Sequence, residues 1–134
     1  MKTAVFANSK GGVGKSTIAL LTSLSLATKY NRANVELIDL DPQATTSDSL
    51  SRFANYRFKV INNEEFYLGS TTPNNSRIIS HLESSSDNHI SECYSVIDCP
   101  AGNDPVRSTF LLHSDIIFIP TSVSDADVFA TKKY

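Results

Sequence analysis

The segment Asn8–Thr17, NSKGGVGKST, constrains the fold of this chain more than any other part of its sequence. It lies between a short apolar run, Thr3–Ala7, and a stretch rich in Leu, Ala and Ile, Ser16–Tyr30. Glycines in such a loop let the backbone curl so that successive N–H groups point inward, and a helix that follows adds its positive end. An apolar strand, a glycine-rich turn and a helix in this order predict a loop that binds phosphate.

The loop departs from the usual pattern G-x-x-x-x-G-K-[ST] at its first position. Ser9 stands where the first glycine is expected, and a second lysine, Lys10, follows at once. The loop could be a glycine-rich turn that binds no ligand, but the flanking strand and helix disfavour this interpretation. Lys10 could be an ordinary solvated lysine, but this would leave the change at Ser9 and Lys10 unexplained.

The polar and the flexible residues of the loop have separate predicted roles. Lys15 would bridge the terminal phosphates, the Ser16 hydroxyl would reach Mg²⁺, and Thr17 would support the α-phosphate end. Side chains at the glycine positions would block the approach of a phosphate. The predicted nucleotide-binding residues are Lys10, Gly11, Gly12, Val13, Gly14, Lys15, Ser16 and Thr17.

Short apolar runs elsewhere in the chain predict a parallel sheet. The predicted strands, each buried on both faces, are Thr3–Ala7, Val35–Leu40, Tyr94–Asp98 and Asp115–Pro120. The helix Ser16–Tyr30 is apolar on more than one side, so we expect it to pack inside. Strand, helix and strand at this spacing imply a right-handed crossover, and therefore a mostly parallel sheet with helices on both faces, a three-layer α/β/α fold.

The middle of the chain is less informative. Residues 44–93 are rich in Ser and Asn, and they predict a strand at Phe58–Ile61, a short helix at Ser76–Leu82 and a loop at Glu83–Asn88. This region reads as an insertion at the rim of the sheet or as an ordinary surface connection. Since the chain has 134 residues, we expect one domain over residues 1–134.

Three aspartates follow or end predicted strands. Asp98 closes one strand, and Asp39 and Asp41 close another with their side chains on the same side. In parallel sheets ligands gather at the carboxyl ends of the strands, and Mg²⁺ prefers hard oxygen ligands. Strand-end aspartates also start ordinary turns, but three of them beside a phosphate loop favour a metal site. Gly102 could bring a backbone N–H to a γ-phosphate, or it could simply form a turn.

Composition excludes several other classes of protein. The formal net charge is −2, with no basic stripe that would mark a nucleic-acid surface. No apolar run approaches the ~20 residues of a membrane span, and the N-terminal run is too short for a secretory signal. We therefore expect a soluble, unprocessed protein.

The cysteines and histidines suggest no further chemistry. Cys93 and Cys99 are a poor disulfide pair, which favours a reduced, cytoplasmic setting. We interpret Cys99 as a small packing residue rather than a nucleophile, because no histidine with an orienting partner is suggested nearby. His81, His89 and His113 are predicted to be loop or surface residues.

Three motifs in this order resemble the deviant Walker A ATPases of the MinD/ParA superfamily. They are KGGVGKST at Lys10–Thr17, DLDPQ at Asp39–Gln43 and IDCPAG at Ile97–Gly102, and they are most similar to the ParA partition proteins. The resemblance covers the layout of nearly the whole chain, with strong identity only in the motifs. It implies a P-loop NTPase fold, ATP and ADP as ligands, Mg²⁺ as cofactor and weak basal ATPase activity.

The resemblance also assigns residue roles. It implies that Lys10 reaches across a nucleotide-sandwiched homodimer to the phosphates of the partner subunit, as an arginine finger does. By the same resemblance Asp41 positions the attacking water, Asp39 holds magnesium-bound water, and Asp98 is the Walker B acid. The implied catalytic residues are thus Lys10, Lys15 and Asp41, and the implied metal residues are Ser16, Asp39 and Asp98.

For the whole protein the resemblance implies a dimeric, nucleotide-dependent switch in plasmid or chromosome segregation. Its partners would be a ParB-like activator and non-specific DNA, with a cytoplasmic or nucleoid-associated location and no membrane. Family members continue well past the length of this chain, so we expect the adenine pocket, the last strands and the DNA-binding surface to be missing from it. The alternatives are a MinD-like division-site regulator and an ATP-dependent metabolic ligase of the dethiobiotin synthetase type.

Overall fold

A computed structural model describes residues 2–7, 14–30, 34–40, 58–68, 72–84, 93–100 and 105–121 of the chain. The strands in these ranges are β1 (Lys2–Phe6), β2 (Asn34–Asp39), β3 (Phe58–Asn62), β4 (Tyr67–Leu68), β5 (Thr72–Pro73), β6 (Cys93–Asp98) and β7 (Ile116–Phe118). The helices are α1 (Lys15–Lys29), α2 (Asn75–Ser84) and α3 (Pro105–Leu112), and a 3-10 turn, Asn63–Phe66, joins β3 to β4.

Five of the strands form one parallel sheet in the order β3-β2-β6-β1-β7, which confirms the predicted parallel sheet. The strand β6 lies between β1 and β2, so the connection from β1 through α1 to β2 passes over it. The short strands β4 and β5, which the sequence did not predict, pair antiparallel in a separate two-stranded sheet.

The two faces of the main sheet carry separate apolar clusters, as alternation along buried strands requires. On one face Val5, Ile38 and Ile97 pack with Ile78 of α2 and Phe110 of α3. On the other face a residue adjacent in sequence to each of these strand residues, namely Phe6, Leu37 or Val96, packs with Ala19 of α1. The expected three-layer arrangement of helix, sheet and helix is therefore confirmed.

The predicted strand Asp115–Pro120 is shorter than expected and is not buried. Its residues Ile116, Ile117 and Phe118 are exposed to 49%, 44% and 42%, because β7 pairs only with β1 among the described strands and so lies at an edge. Asp115 anchors this edge through two bonds to Thr3: its carboxylate accepts from the Thr3 N–H at 2.7 Å, and its own N–H donates to the Thr3 carbonyl at 2.9 Å.

The helix α1 begins one residue earlier than predicted and has a solvent-facing side. Ala19 and Ser23 are buried against the sheet, but Ile18 and Leu21 are 41% and 55% exposed, so the expectation that the helix packs inside on several sides is wrong for the described residues. After its last residue, the Tyr30 ring stacks on Tyr94 of β6 with centroids 5.5 Å apart. This contact ties the end of α1 to the amino-terminal half of β6.

The middle of the chain follows its predictions in part. The predicted strand at Phe58–Ile61 is β3, and the predicted helix at Ser76–Leu82 is α2. Asn74 precedes this helix, and its side-chain oxygen accepts a hydrogen bond from the Arg77 N–H at 3.1 Å. The predicted loop at Glu83–Asn88 is wrong at its first two residues, which belong to α2; residues 85–88 lie outside the described ranges.

His81 is not the loop or surface residue that we expected. It lies in α2, where its ring nitrogen Nε2 is 2.8 Å from Glu36 Oε1 of β2, and the two side chains are only 14% and 16% exposed. The edge of its ring meets Phe66 at a centroid distance of 5.5 Å. His113, just after α3, is exposed as predicted, whereas His89 lies outside the described residues.

Among the described residues neither Cys93 nor Cys99 forms a disulfide, as predicted, and Cys99 is fully buried within the apolar cluster, which confirms its packing role. In the described part of the chain no helix combines the length and the apolar character that crossing a bilayer requires.

We expect the backbone at Gly14 to limit substitution there. Gly14 precedes α1 with φ at +81°, and a Cβ atom built at this position meets nothing within 4 Å. Gly14→Ala should therefore lower the free energy of unfolding by about 1 kcal/mol through backbone strain alone. Gly14→Asn should lose less, because Asn tolerates the left-handed region. Urea unfolding followed by circular dichroism measures both, and equal losses would contradict a backbone origin.

We expect the pair of His81 and Glu36 to stabilise the packing of α2 on β2. His81→Leu keeps a side chain of similar bulk against Phe66 but leaves the mostly buried Glu36 carboxylate without this partner, so the free energy of unfolding should fall by about 1–2 kcal/mol. His113→Leu makes the same replacement at an exposed position and should change it by less than about 0.5 kcal/mol. Similar losses in the two variants, measured by urea unfolding, would argue against a contribution from the pair.

Candidate functional site

Two buried aspartates lie side by side at the carboxyl edge of the sheet. In the parallel register Asp98 of β6 is opposite both Phe6 of β1 and Asp39 of β2. Both acids point to the face that α1 covers, since each is two residues beyond a member of the cluster under that helix. Their exposure is 0% for Asp98 and 1% for Asp39. Parallel pairing therefore brings together two acids that are far apart in sequence.

The first residue of α1 brings a positive charge to these acids. Lys15 is buried, and its ammonium nitrogen Nζ lies 3.4 Å from Asp98 Oδ1. This separation is longer than the ~2.7–2.9 Å of a charge-assisted hydrogen bond, so it is an ion pair rather than a tight bond. A buried carboxylate is costly unless a charge or donor faces it, and Lys15 supplies such a charge.

The beginning of α1 presents backbone donors toward the same edge. The first helical bond runs from the Ile18 N–H to the Gly14 carbonyl at 3.0 Å, so the N–H groups of Lys15, Ser16 and Thr17 precede the helical bonding pattern. No acidic residue lies in this first turn, and no side chain caps it at Gly14. The positive end of the helix can therefore attract an anion.

Backbone hydrogen bonds continue the pairing of the sheet one residue beyond the ends of β2 and β6. The Leu40 N–H donates to the Asp98 carbonyl, and the Cys99 N–H donates to the Phe6 carbonyl, both at 3.0 Å. Phe6 also stacks on Phe118 of β7 with ring centroids 4.9 Å apart. Sequence reasoning did not predict these supporting contacts, because each joins residues from different strands.

The structure describes only some of the predicted site residues. It brings Lys15, Asp39 and Asp98 together, and it places Gly14, Ser16 and Thr17 at the start of α1 beside them. The remaining predicted residues, which are Lys10, Gly11, Gly12, Val13, Asp41 and Gly102, lie outside the described ranges.

The described donors fit a magnesium ion that is held mainly by a nucleotide and water. No three His, Cys, Asp or Glu side chains among the described residues come together as a metal cluster. Mg²⁺ at a phosphate site takes only one or two protein oxygens besides phosphates and water, so Asp98, Asp39 and the hydroxyl of Ser16 are a suitable set. All three are hard oxygen donors at one edge of the sheet.

Comparison with known proteins finds a family model and two curated relatives that match the sequence. The AAA_31 family model, described as an AAA domain, matches residues 1–94. The chain is 31% identical over 133 residues to maintenance of carboxysome distribution protein A of Halothiobacillus neapolitanus, in a match that covers 96% of this chain and 54% of the relative. It is 46% identical over 50 residues to the virulence plasmid ParA family protein pGP5-D of Chlamydia psittaci, covering 37% of this chain and 19% of that protein.

Solved structures share the fold. A plasmid partition protein of Borrelia burgdorferi B31 bound to AMPPNP has a TM-score of 0.71 and 20% identity, covering 98% of this chain and 67% of that one. The pNOB8 ParA bound to nonspecific DNA has a TM-score of 0.70 and 18% identity over 98% of this chain and 57% of that one. The MinC:MinD complex of Aquifex aeolicus has a TM-score of 0.70 and 14% identity over 99% of this chain and 61% of that one.

The chain spans about half of the carboxysome distribution protein, 54% of its length. The match of the AAA domain model to residues 1–94, with the parallel sheet shared with partition proteins, identifies its family. The chain belongs to the AAA_31 family, and it shares the fold of ParA and MinD proteins of known structure.

Proposed function

We propose that this chain carries the phosphate half of an ATP-hydrolysing partition ATPase that acts as a nucleotide-dependent dimeric switch. The observation that carries the proposal is the contact of Lys15, at the start of α1, with the buried Asp98, which lies in register beside the buried Asp39. A cation, helical N–H groups and carboxylates at one edge are the parts that phosphoryl transfer requires. Similar proteins include a plasmid partition protein and a carboxysome distribution protein, and both names refer to the placement of a cargo in the cell.

Each residue has a distinct role in the proposed mechanism. The N–H groups at the start of α1 and the Lys15 ammonium hold the phosphates, while the Ser16 hydroxyl and Asp98 face a magnesium ion that would neutralise phosphate charge. Asp39 would help to hold the magnesium ion through water, and Asp41 would orient the attacking water. Asp39 and Asp98 come from two neighbouring strands, so the spacing between them is set by the sheet rather than by a loop.

Lys10 supplies the second cation in trans. In the proposed dimer it reaches the phosphates bound by the partner subunit, which makes hydrolysis depend on dimerisation. ATP would favour the dimer and hydrolysis would release it. Such a switch needs a difference of about 5.5 kcal/mol between nucleotide states to pass from one per cent to ninety-nine per cent dimer.

The proposed partners of the whole protein are a ParB-like activator and non-specific DNA, in the cytoplasm or on the nucleoid. Support comes from the ParA complex with nonspecific DNA, whose fold this chain shares. A MinD-like division regulator is a second candidate, because the MinC:MinD complex has a similar TM-score, 0.70. DNA binding by the whole protein would favour partition, and binding to lipid vesicles would favour the MinD-like role.

We expect Lys15→Gln to weaken ATP binding and to slow ATP hydrolysis. It removes the buried cation, so affinity for ATP with Mg²⁺ should fall at least about tenfold and hydrolysis by about 10²-fold or more. Lys29→Gln removes the same charge from the exposed end of the same helix and should leave both unchanged. Isothermal titration calorimetry and phosphate release measure the two effects. Equal behaviour of the two variants would refute the role of Lys15.

Lys10→Ala should test the trans role. It should abolish the ATP-dependent dimer, measured by analytical ultracentrifugation with and without ATP and Mg²⁺, while ATP binding by the monomer persists. A dimer that forms as readily in this variant would count against a lysine that crosses the interface.

A further inference from the structure

The Phe6 side chain links the strand that enters the phosphate-binding loop with the helix that follows it. Phe6 is the last residue of β1, and the loop leaves this strand after Ala7. The Phe6 ring is only 2% exposed and belongs to the buried cluster that contains Ala19 of α1. Ala19 lies about one helical turn after Lys15, and both are buried on the same side of the helix. Phe6 therefore packs under the part of α1 that carries the phosphate lysine.

The edge strand β7 contacts the end of β1 through Phe118. The Phe118 ring stacks on the Phe6 ring with centroids 4.9 Å apart and an angle of 17° between the ring planes. The Phe118 carbonyl accepts a hydrogen bond from the Ala7 N–H at 3.0 Å. Phe118 thus contacts both the last residue of β1 and the first residue beyond it.

A second residue of β7 shows what is particular to Phe118. Ile116 lies on the same face of the strand, and the two side chains are similarly exposed, 49% for Ile116 and 42% for Phe118. In the parallel register, however, Ile116 is opposite Ala4, whereas Phe118 is opposite Phe6. Of these two β7 residues, Phe118 is therefore the one at the level where the chain enters the loop.

This contact matters for phosphate binding because the loop runs from the end of β1 to the start of α1. Backbone donors stabilise phosphate charge best when the protein holds them in place before the ligand arrives. A displacement near 1 Å in such a site can cost about 10²-fold in rate. Stacked aromatic rings have a preferred geometry, so they fix the position of Phe6 more narrowly than an aliphatic contact would.

We propose that Phe118 is a positioning residue for the phosphates of the nucleotide. Its ring and its carbonyl fix the end of β1, and the Phe6 ring carries this constraint to the helical turn that begins with Lys15. Phe118 itself contacts no nucleotide in this proposal. The inference rests on the proposed function, because it concerns the same phosphate site, and it gives that site a contribution from β7, which holds none of the predicted site residues.

Titration calorimetry with ATP and Mg²⁺ on the 134-residue chain tests the inference. Phe118→Leu keeps an apolar side chain and the backbone bond to Ala7 but removes the ring. Its affinity for ATP should fall about threefold to tenfold, the change that corresponds to the free energy of one aromatic pair. Phe118→Tyr keeps the ring and should bind ATP as the wild type does. Phe118→Met, which also lacks a ring, replaces Phe118→Leu if circular dichroism shows that the latter does not fold.

Ile116→Ala is the matched control. It removes apolar bulk from the same face of β7, so it should lower the free energy of unfolding in urea and yet leave ATP affinity unchanged. A purely structural role of Phe118 would instead make ATP affinity follow stability in both variants.

The outcomes separate this inference from the proposed function. Wild-type chain that binds ATP with Mg²⁺, together with a folded Phe118→Leu variant that binds it equally well, would overturn the inference and leave the proposed function standing. Equal weakening by Phe118→Leu and Ile116→Ala, or a Phe118→Tyr variant as weak as Phe118→Leu, would overturn it as well. Failure of the wild type to bind ATP with Mg²⁺ would overturn the proposed function itself.

Discussion

The pairing of β6 with both β1 and β2 is the constraint on which the rest of the structure depends. Because all three strands run parallel and in one continuous register, Phe6, Asp98 and Asp39 end at the same level of the sheet. Alternation then sends the last acid of each strand toward α1 and the following apolar residue, Leu40 or Cys99, into the cluster on the opposite face. The same register thus builds an apolar core and a charged edge.

Local pattern was enough to predict most elements of the fold. The runs that became β1, β2, β6 and α1 combine apolar residues with glycine or proline at their ends, and such signals depend only on neighbouring residues. The burial of a strand could not be predicted from these local signals. Ile116 and Ile117 in β7 have the composition of an interior strand, yet among the described strands β7 has one neighbour, and the neighbours of a strand decide its exposure.

The site was predictable to the extent that it follows from strand ends. Asp39 and Asp98 could be placed at one edge because parallel strands end together, but their pairing in register depends on strand order, which sequence does not specify. A lysine in a phosphate-binding loop is expected to contact a ligand rather than a protein carboxylate, so the contact of Lys15 with Asp98 was not predicted. His81 was missed for a similar reason, since its partner Glu36 is 45 residues away in the chain.

The stacking of Tyr30 on Tyr94 has a consequence for how α1 can move. The stacked rings attach one end of the helix to β6, and the contact of Lys15 with Asp98 attaches its other end to the same strand. Two attachments to one strand restrain the helix against sliding along the sheet. The chain has no tryptophan, so its near-ultraviolet signal comes mainly from its five tyrosines, which include this stacked pair.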